Sequence, residues 1–192
     1  MAFARGTAVL LSCLAFAPAL RAQEYEPATL GIQVRGSVPL GDLKDAVGGF
    51  KKPGVGISVV MEEDFLEGYR GRIALGADDW FKGSLDTVSG SRGGVSAYHL
   101  TVEGVRLLRP YGDFPLVGPY VLAGLGFYEW NVTTENPAQN TSSTRRMGHA
   151  VVSFGFGWRA SAHLDAELKV LAGRLDPGLT AAAVLAGVTW RY

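Results

Sequence analysis

Cysteine is nearly missing from this 192-residue sequence, and so is any excess of charge. The single cysteine, Cys13, lies near the start, so the remainder of the chain can form neither disulfides nor thiolate sites. The formal net charge is zero, so the chain lacks the excess of positive charge that is typical of nucleic-acid-binding proteins. Charged residues make up 19% of the chain, against about 25% in an average globular protein. Such a chain has to be stabilised by burial or by a membrane.

Long apolar runs are also absent from the sequence. No segment reaches the ~18 continuous apolar residues that indicate a membrane-spanning helix. Residues 7–17 are mostly apolar over a shorter length, with Arg5 before them and small residues up to Ala22 after them. This order is that of a secretory signal peptide. We expect residues 1–22 to be removed by cleavage after Ala22, or alternatively after Ala19, and residues 23–192 to form one domain.

Glycine is abundant: the chain has 26 glycines, roughly twice the usual share. Without a collagen-like period, this content favours strands and turns over helices. Beyond the leader, apolar and polar residues alternate in segments that are separated by turn-forming residues. These segments are residues 30–38, 54–61, 69–80, 95–108, 119–131, 147–159, 164–172 and 179–192. The sequence therefore predicts eight β-strands.

Two of these segments do not alternate cleanly. In residues 95–108, Val105 and Leu107 fall on the wrong parity, which a β-bulge at Gly104 would explain. In residues 119–131, apolar residues occupy both parities, so the pattern leaves open which side faces outward.

The connections between the segments alternate in length. Polar connections of about 13–15 residues (39–53, 82–94 and 132–146) alternate with tighter turns, and only the last connection breaks this order. This alternation is typical of an up-and-down barrel in an outer membrane, with both chain ends on the periplasmic side. Aromatic residues near the strand ends then predict two interfacial rings. One ring comprises Tyr69, Tyr120, Trp158, Trp190 and Tyr192, and the other Trp80, Phe81, Tyr128 and Trp130.

Charged residues occupy the opposite parity of several strands. An eight-stranded barrel is just wide enough inside for side chains, and buried charges must pair. We therefore predict an ion-paired, side-chain-filled lumen without free diffusion of solutes. The candidates for these lumenal ion pairs are Arg35, Glu62, Arg70, Arg72, Glu103, Arg159, Asp165, Glu167 and Lys169.

Three stretches resemble the small outer-membrane β-barrel superfamily of OmpA-, OmpX- and opacity-protein-like domains. They are LGIQVRGSVPLGD at residues 30–42, PYVLAGLGF at residues 119–127 and GVTWRY at residues 187–192. The resemblance implies an all-β, eight-stranded antiparallel transmembrane barrel. It also implies that Gly187, Trp190 and Tyr192 belong to an assembly signal, although Leu185 stands where a polar residue is usual. No peptidoglycan-binding domain follows, which departs from full-length OmpA.

The same resemblance implies a monomer in the outer membrane of a Gram-negative-type bacterium. The expected partners are outer-membrane lipids, lipopolysaccharide and the assembly machinery, without nucleic acid or cofactor. A lipid-A deacylase would need a lipid-facing His-x-Ser pair, whereas His99 and Thr101 share the inward parity. No metal-ligand spacing is present either.

We therefore expect a structural or surface role without catalysis. The alternatives are adhesion through the outer loops, a narrow conduit for small hydrophobic solutes and, ranked after these two, a lipid-A-modifying enzyme. The alternative fold is a soluble lipocalin-like barrel, which would require an apolar interior and a polar exterior.

Overall fold

The structure is a computed structural model that describes residues 28–47, 53–66, 69–80, 91–108 and 117–192. The predicted signal peptide, its cleavage site and Phe81 lie outside these residues. Within the described part, no helix is long and apolar enough to span a membrane.

Eight antiparallel strands form one closed barrel in which each strand pairs with its neighbours in sequence and β1 pairs with β8. The elements are β1 (Thr29–Leu40), α1 (Gly41–Ala46), β2 (Gly54–Leu66), β3 (Tyr69–Trp80), β4 (Arg92–Leu107), β5 (Gly118–Asn136), β6 (Thr141–Arg159), β7 (Leu164–Asp176) and β8 (Leu179–Arg191). The predicted eight-stranded up-and-down barrel is confirmed. The barrel end that holds Thr29 and Arg191 is called proximal below, and the opposite end distal.

The outer face of the barrel is an apolar belt. On β6 it runs from Ala150 to Trp158, and equivalent alternating residues are exposed on the other seven strands. Outward-facing charges bound this belt at Arg106 near the proximal end and at Asp79 and Glu129 near the distal end. Charges lie inside and apolar side chains outside, which is the opposite of the lipocalin-like alternative.

The predicted polar loop at residues 132–146 is wrong. Those residues extend strands β5 and β6, which stay paired as far as Asn136 opposite Thr141, and only residues 137–140 turn the chain. Pairing of β6 with β7 already ends at Val151 opposite Gly173. Polarity suggested a loop, but β-branched threonines suit a water-facing strand, and the ladder satisfies their backbone groups.

The predicted bulge at Gly104 is also wrong. Gly104 pairs in continuous register with Gly71 on one side and Ala123 on the other. Val105 and Leu107 face inward, where they form a small apolar cluster with Tyr120 and Leu122. The lumen lining changes from polar to apolar at this point, and the strand geometry does not change.

The predicted aromatic rings are half right. Tyr69, Trp158, Trp190 and Tyr192 face outward near the proximal end. Tyr120, Trp80, Tyr128 and Trp130 instead face inward and are buried. Strand β5 therefore turns its tyrosines and Trp130 into the lumen, while Val121, Leu125 and Phe127 face outward. Position near a strand end did not decide the side, because a large aromatic ring also fits the lumen.

Candidate functional site

The lumen is the candidate site, because it collects the buried polar groups of all eight strands. Period-two alternation sends every second side chain of each strand inward. The buried charged residues comprise six cations and six anions: Arg35, Arg70, Arg72, Arg159, Arg191 and Lys169 with Glu62, Asp64, Asp78, Glu103, Asp165 and Glu167. Among the described buried residues, the formal charges therefore cancel.

Glu62 is the centre of the proximal ion network. Its Oε1 lies 3.1 Å from Arg70 Nε and 2.5 Å from Arg159 Nη2. Its Oε2 lies 3.1 Å from Arg72 Nη2 and 3.0 Å from Arg191 Nη2. One carboxylate from β2 thus joins β3, β6 and β8, which closes the lumen across its width.

The remaining carboxylates complete the proximal ion network. Arg72 Nη1 donates to Glu167 Oε2 at 2.6 Å, and Arg191 donates through both terminal nitrogens to Asp165. Lys169 Nζ lies 2.8 Å from Glu103 Oε1. Asp64 Oδ1 lies 2.9 Å from Arg70 Nε as an ion pair, and Glu103 Oε1 also accepts a hydrogen bond from Ser153 Oγ at 3.1 Å.

The middle of the lumen is held by a second ion pair. Arg35 donates from Nε to Asp78 Oδ1 at 2.8 Å and from Nη2 to Asp78 Oδ2 at 2.7 Å. This bidentate geometry fixes both side chains. Arg35 Nη1 also donates to Gln33 Oε1 at 3.4 Å, and Gln33 donates to Thr189 Oγ1 at 3.0 Å. The chain of contacts therefore links β3 to β1 and β8.

Ser58, His99 and Asp78 stand in the order of a hydrolytic triad. Ser58 Oγ lies 3.3 Å from His99 Nε2, and His99 Nδ1 lies 3.3 Å from Asp78 Oδ2. However, Arg35 Nη2 lies 2.9 Å from the same Nε2. A guanidinium has only donors, so it competes with Ser58 for the lone pair that a general base needs. All three side chains are also buried. The arrangement fits a structural cluster better than a catalytic site.

The barrel shares its fold with solved structures that have little sequence identity to it. No protein-family model matches the chain, and no curated protein sequence matches it. Ail of Yersinia pestis superposes with a TM-score of 0.55 at 15% identity, over 86% of this chain and 97% of that one. Neisserial surface protein A gives 0.53 at 8% identity, over 88% of this chain and 100% of that one. The N-terminal β-barrel domain of Pseudomonas aeruginosa OprF gives 0.51 at 15% identity, with the same two coverages.

The chain has the fold of the small outer-membrane β-barrels. Barrels of this fold expose apolar side chains to lipid and turn polar ones inward, which is the distribution described above.

All nine lumenal residues predicted from the sequence are buried inside this outer-membrane-type barrel and take part in ion pairs. The sequence reasoning missed Asp64, Asp78 and Arg191. Asp64 shares the inward parity of Glu62, Asp78 shares that of Arg72, and Arg191 lies on the face of β8 opposite to Trp190, so the same alternation could have found them. His99 and Thr101 are buried in the lumen, on the side that their parity indicated.

Of the predicted assembly residues, Gly187 and Trp190 lie on β8 and Tyr192 follows it directly, at the seam that closes the barrel. Trp190 and Tyr192 face outward, and Tyr192 N donates to Leu30 O at 2.8 Å. Gly187 faces inward opposite Arg35, and a Cβ there would lie 3.3 Å from the Arg35 Cβ. The missing side chain thus leaves room for the Arg35 stem.

The distal lumen is apolar. The distal apolar cluster comprises Leu43, Val47, Trp80, Val95, Ala97, Tyr128, Trp130, Val151, Leu171, Leu175, Ala181, Ala183 and Leu185. Helix α1 folds over the barrel mouth and inserts Leu43 into this cluster. Thr180, at the start of β8, donates its backbone N–H at 2.7 Å and its hydroxyl at 2.9 Å to Asp42 Oδ2. We call these two hydrogen bonds the latch.

The described residues contain no group of three or more His, Cys, Asp and Glu side chains that could hold a metal ion.

Proposed function

We propose that the chain is an outer-membrane barrel of a Gram-negative-type bacterium, with a closed lumen and a structural or surface role without catalysis. The observation that carries this proposal is the charge-balanced lumen inside an apolar belt. Solutes would have to break the proximal ion network to pass, and breaking buried ion pairs is costly. The proximal end then lies in the periplasm and the distal end outside the cell, next to lipopolysaccharide.

This proposal includes an exported, monomeric protein that the outer-membrane assembly machinery inserts after removal of the leader. Fractionation and gel migration test it. The protein should cofractionate with outer-membrane markers and run faster unboiled than boiled, since a closed barrel resists unfolding by detergent. Recovery in the soluble periplasmic fraction would contradict membrane insertion. Stable conductance steps in planar bilayers would contradict the closed lumen and favour the conduit.

A second candidate role is contact with another surface through the β5–β6 hairpin. Ten residues of β6, Thr141 to Ala150, lie beyond its pairing with β7. At about 3.3 Å per residue they extend roughly 30 Å along the strand. Arg145 and Arg146 on this hairpin are exposed. The attachment invasion locus protein Ail has been crystallised with the heparin analogue sucrose octasulfate, so heparin is a suitable first probe.

A register-preserving deletion tests this second role. Removing residues 133–136 and 141–144 joins the native turn at residues 137–140 to the Val132–Arg145 pair, with the same hydrogen-bonding phase. The same variant carries Arg145→Thr and Arg146→Thr, which remove the two exposed cations. The shortened barrel should assemble normally, because the removed residues face water. Adhesion to host cells and retention on immobilised heparin should both fall to background. Unchanged adhesion in the shortened barrel would rule out the hairpin as the adhesive surface.

A further inference from the structure

The distal lumen is apolar, whereas the middle of the interior holds the Arg35–Asp78 ion pair. Its walls combine large rings with the small side chains of Ala97, Ala181 and Ala183. A row of ring contacts runs down one wall, with centroid separations of 5.7 Å for Trp80–Trp130, 5.1 Å for Trp130–Tyr128 and 4.9 Å for Tyr128–His99. The first pair is tilted and the other two are stacked. Below His99, the Arg35–Asp78 ion pair closes the space. The distal lumen therefore has the form of an aromatic-lined cup with a charged floor.

This cup is filled by a segment that is not part of the barrel wall. Leu43 and Val47 are both 0% exposed, although they belong to a six-residue helix and the residue that follows it. Helix α1 lies against the β4 backbone, where a Cβ on Gly93 would come within 2.3 Å of Ala46 O. The latch ties the helix to β8. The contents of the cup can thus leave by movement of α1 alone, without opening any strand pair.

The wall carries hydrogen-bonding groups that α1 does not satisfy. Trp80 Nε1 and Trp130 Nε1 are buried and have no hydrogen-bond partner in the described structure, and the same holds for Ser37 Oγ. A Cβ on Gly54 would lie 2.5 Å from Ser37 Oγ and 2.8 Å from Trp80 Nε1, so these two groups flank one position. Buried donors normally have an acceptor. The side chains of Leu43 and Val47 offer none.

We infer that the distal lumen is a binding site for a small apolar molecule with one hydrogen-bond acceptor, such as a medium-chain ketone or ester. The ligand takes the place of Leu43 and Val47 when α1 lifts, and its oxygen accepts from the indole N–H groups. A charged ligand finds no free counter-charge in the distal apolar cluster. The proximal ion network blocks passage onward, so the site binds its ligand without transporting it. This inference goes beyond the proposed function and concerns the lumen alone.

The chain permits a direct test, because two of its four tryptophans, Trp80 and Trp130, line the site. In a Trp158→Phe/Trp190→Phe background, the tryptophan fluorescence of the protein in lipid nanodiscs comes from Trp80 and Trp130 alone and therefore reports ligand binding in the cup. Titration with 2-nonanone should give a saturable change. The matched hydrocarbon 1-nonene should bind about tenfold more weakly, as expected for one lost hydrogen bond. Equal binding of the two probes would overturn the acceptor requirement.

A disulfide that holds α1 in place distinguishes binding in the cup from partition of the ligand into lipid. Asp42→Cys/Thr180→Cys, made with Cys13→Ser and oxidised after folding, replaces the latch by a disulfide. The oxidised form should bind 2-nonanone about tenfold or more weakly than the same sample after reduction, because apparent affinity falls with the open fraction. The control is Thr133→Cys/Thr144→Cys, a directly opposed pair on the β5–β6 hairpin at the same barrel end, whose two hydroxyl oxygens lie 3.0 Å apart. Oxidation of this control pair should leave the affinity for 2-nonanone unchanged.

Two results would overturn the inference. One is a lack of saturable binding in the reduced form. The other is equal binding in the oxidised and reduced forms, which would mean partition into the bilayer. A further variant, Trp80→Phe/Trp130→Phe, keeps an aromatic ring at both positions and removes both N–H donors. By calorimetry it should bind 2-nonanone and 1-nonene alike, and a retained preference for the ketone would show that the indoles are not the donors.

Discussion

At the scale of single residues, Glu62 is a branch point of the buried ion network. Its carboxylate contacts four guanidinium groups, and each of them would lose an anionic partner without it. Removing one partner from a buried ion pair costs about 3–5 kcal/mol. We expect Glu62→Ala to lower the free energy of unfolding by at least that amount, as measured by urea titration in lipid vesicles.

Glu129→Ala is the matched control, because Glu129 faces outward and is exposed. A surface substitution of this kind changes stability by about 0.5 kcal/mol or less. If both variants lose the same stability, Glu62 does not organise the lumen, and the ion pairs are incidental to folding.

The apolar belt makes a second prediction at the residue scale. Phe154 and Trp158 are exposed to similar extents, 59% and 54%, on the same face of β6, but Trp158 lies one residue from the proximal end of the strand. An arginine facing lipid costs about 2–4 kcal/mol at the bilayer midplane and about 0–1 kcal/mol near the interface. Phe154→Arg should therefore destabilise the barrel in vesicles markedly more than Trp158→Arg. Similar losses at both positions would indicate that the belt does not lie in hydrocarbon.

At the scale of elements, helix α1 depends on the latch. The backbone N–H and the hydroxyl of Thr180 donate to Asp42, and they hold the pKa of that carboxyl below its usual value. The interaction is therefore complete at neutral pH and is lost as the pH falls through this lowered pKa. Lys44 and Asp45 are the neighbouring charges on the helix itself.

We expect acid to release α1 and to expose Trp80 and Trp130 to acrylamide quenching in the Trp158→Phe/Trp190→Phe background. Asp42→Asn should show the released quenching level already at neutral pH, because it lacks the charge that the Thr180 groups stabilise. Asp45→Asn, on the exposed side of the helix, should behave like the parent protein. If quenching in Asp42→Asn depends on pH as it does in the parent protein, the latch does not hold α1 in place.

At the scale of the whole molecule, the sequence predicted the number of strands and most of their outward faces, but neither the outward face of β5 nor the length of the β5–β6 hairpin. Lipid accepts only apolar side chains, so alternation such as that of Val152, Phe154 and Phe156 has one interpretation. The lumen is less restrictive, since it accepts charges that pair and rings that pack. For that reason parity placed Arg72 and Glu103 correctly, while position near a strand end misplaced Trp80 and Trp130. Helix α1 and the two indole donors that it leaves unsatisfied could not be read from periodicity, because they depend on which side chains meet across the barrel.

Closure of the barrel is the property that no single hairpin can provide. Strand β8 pairs with β1 from Gly31 opposite Arg191 to Leu40 opposite Ala182, and an unpaired edge in lipid would leave backbone groups without partners. If Tyr192 also belongs to the assembly signal that the resemblance implies, its loss should reduce assembly in the cell more than it reduces folding in vesicles. We expect Tyr192→Asp to reduce the outer-membrane level strongly, while the purified variant still folds in vesicles. Trp158→Asp, which also removes an outward ring near the proximal end, should reduce the level less. If the two variants accumulate equally, Tyr192 acts only as an interfacial anchor, and recognition by the assembly machinery must involve other residues of the barrel.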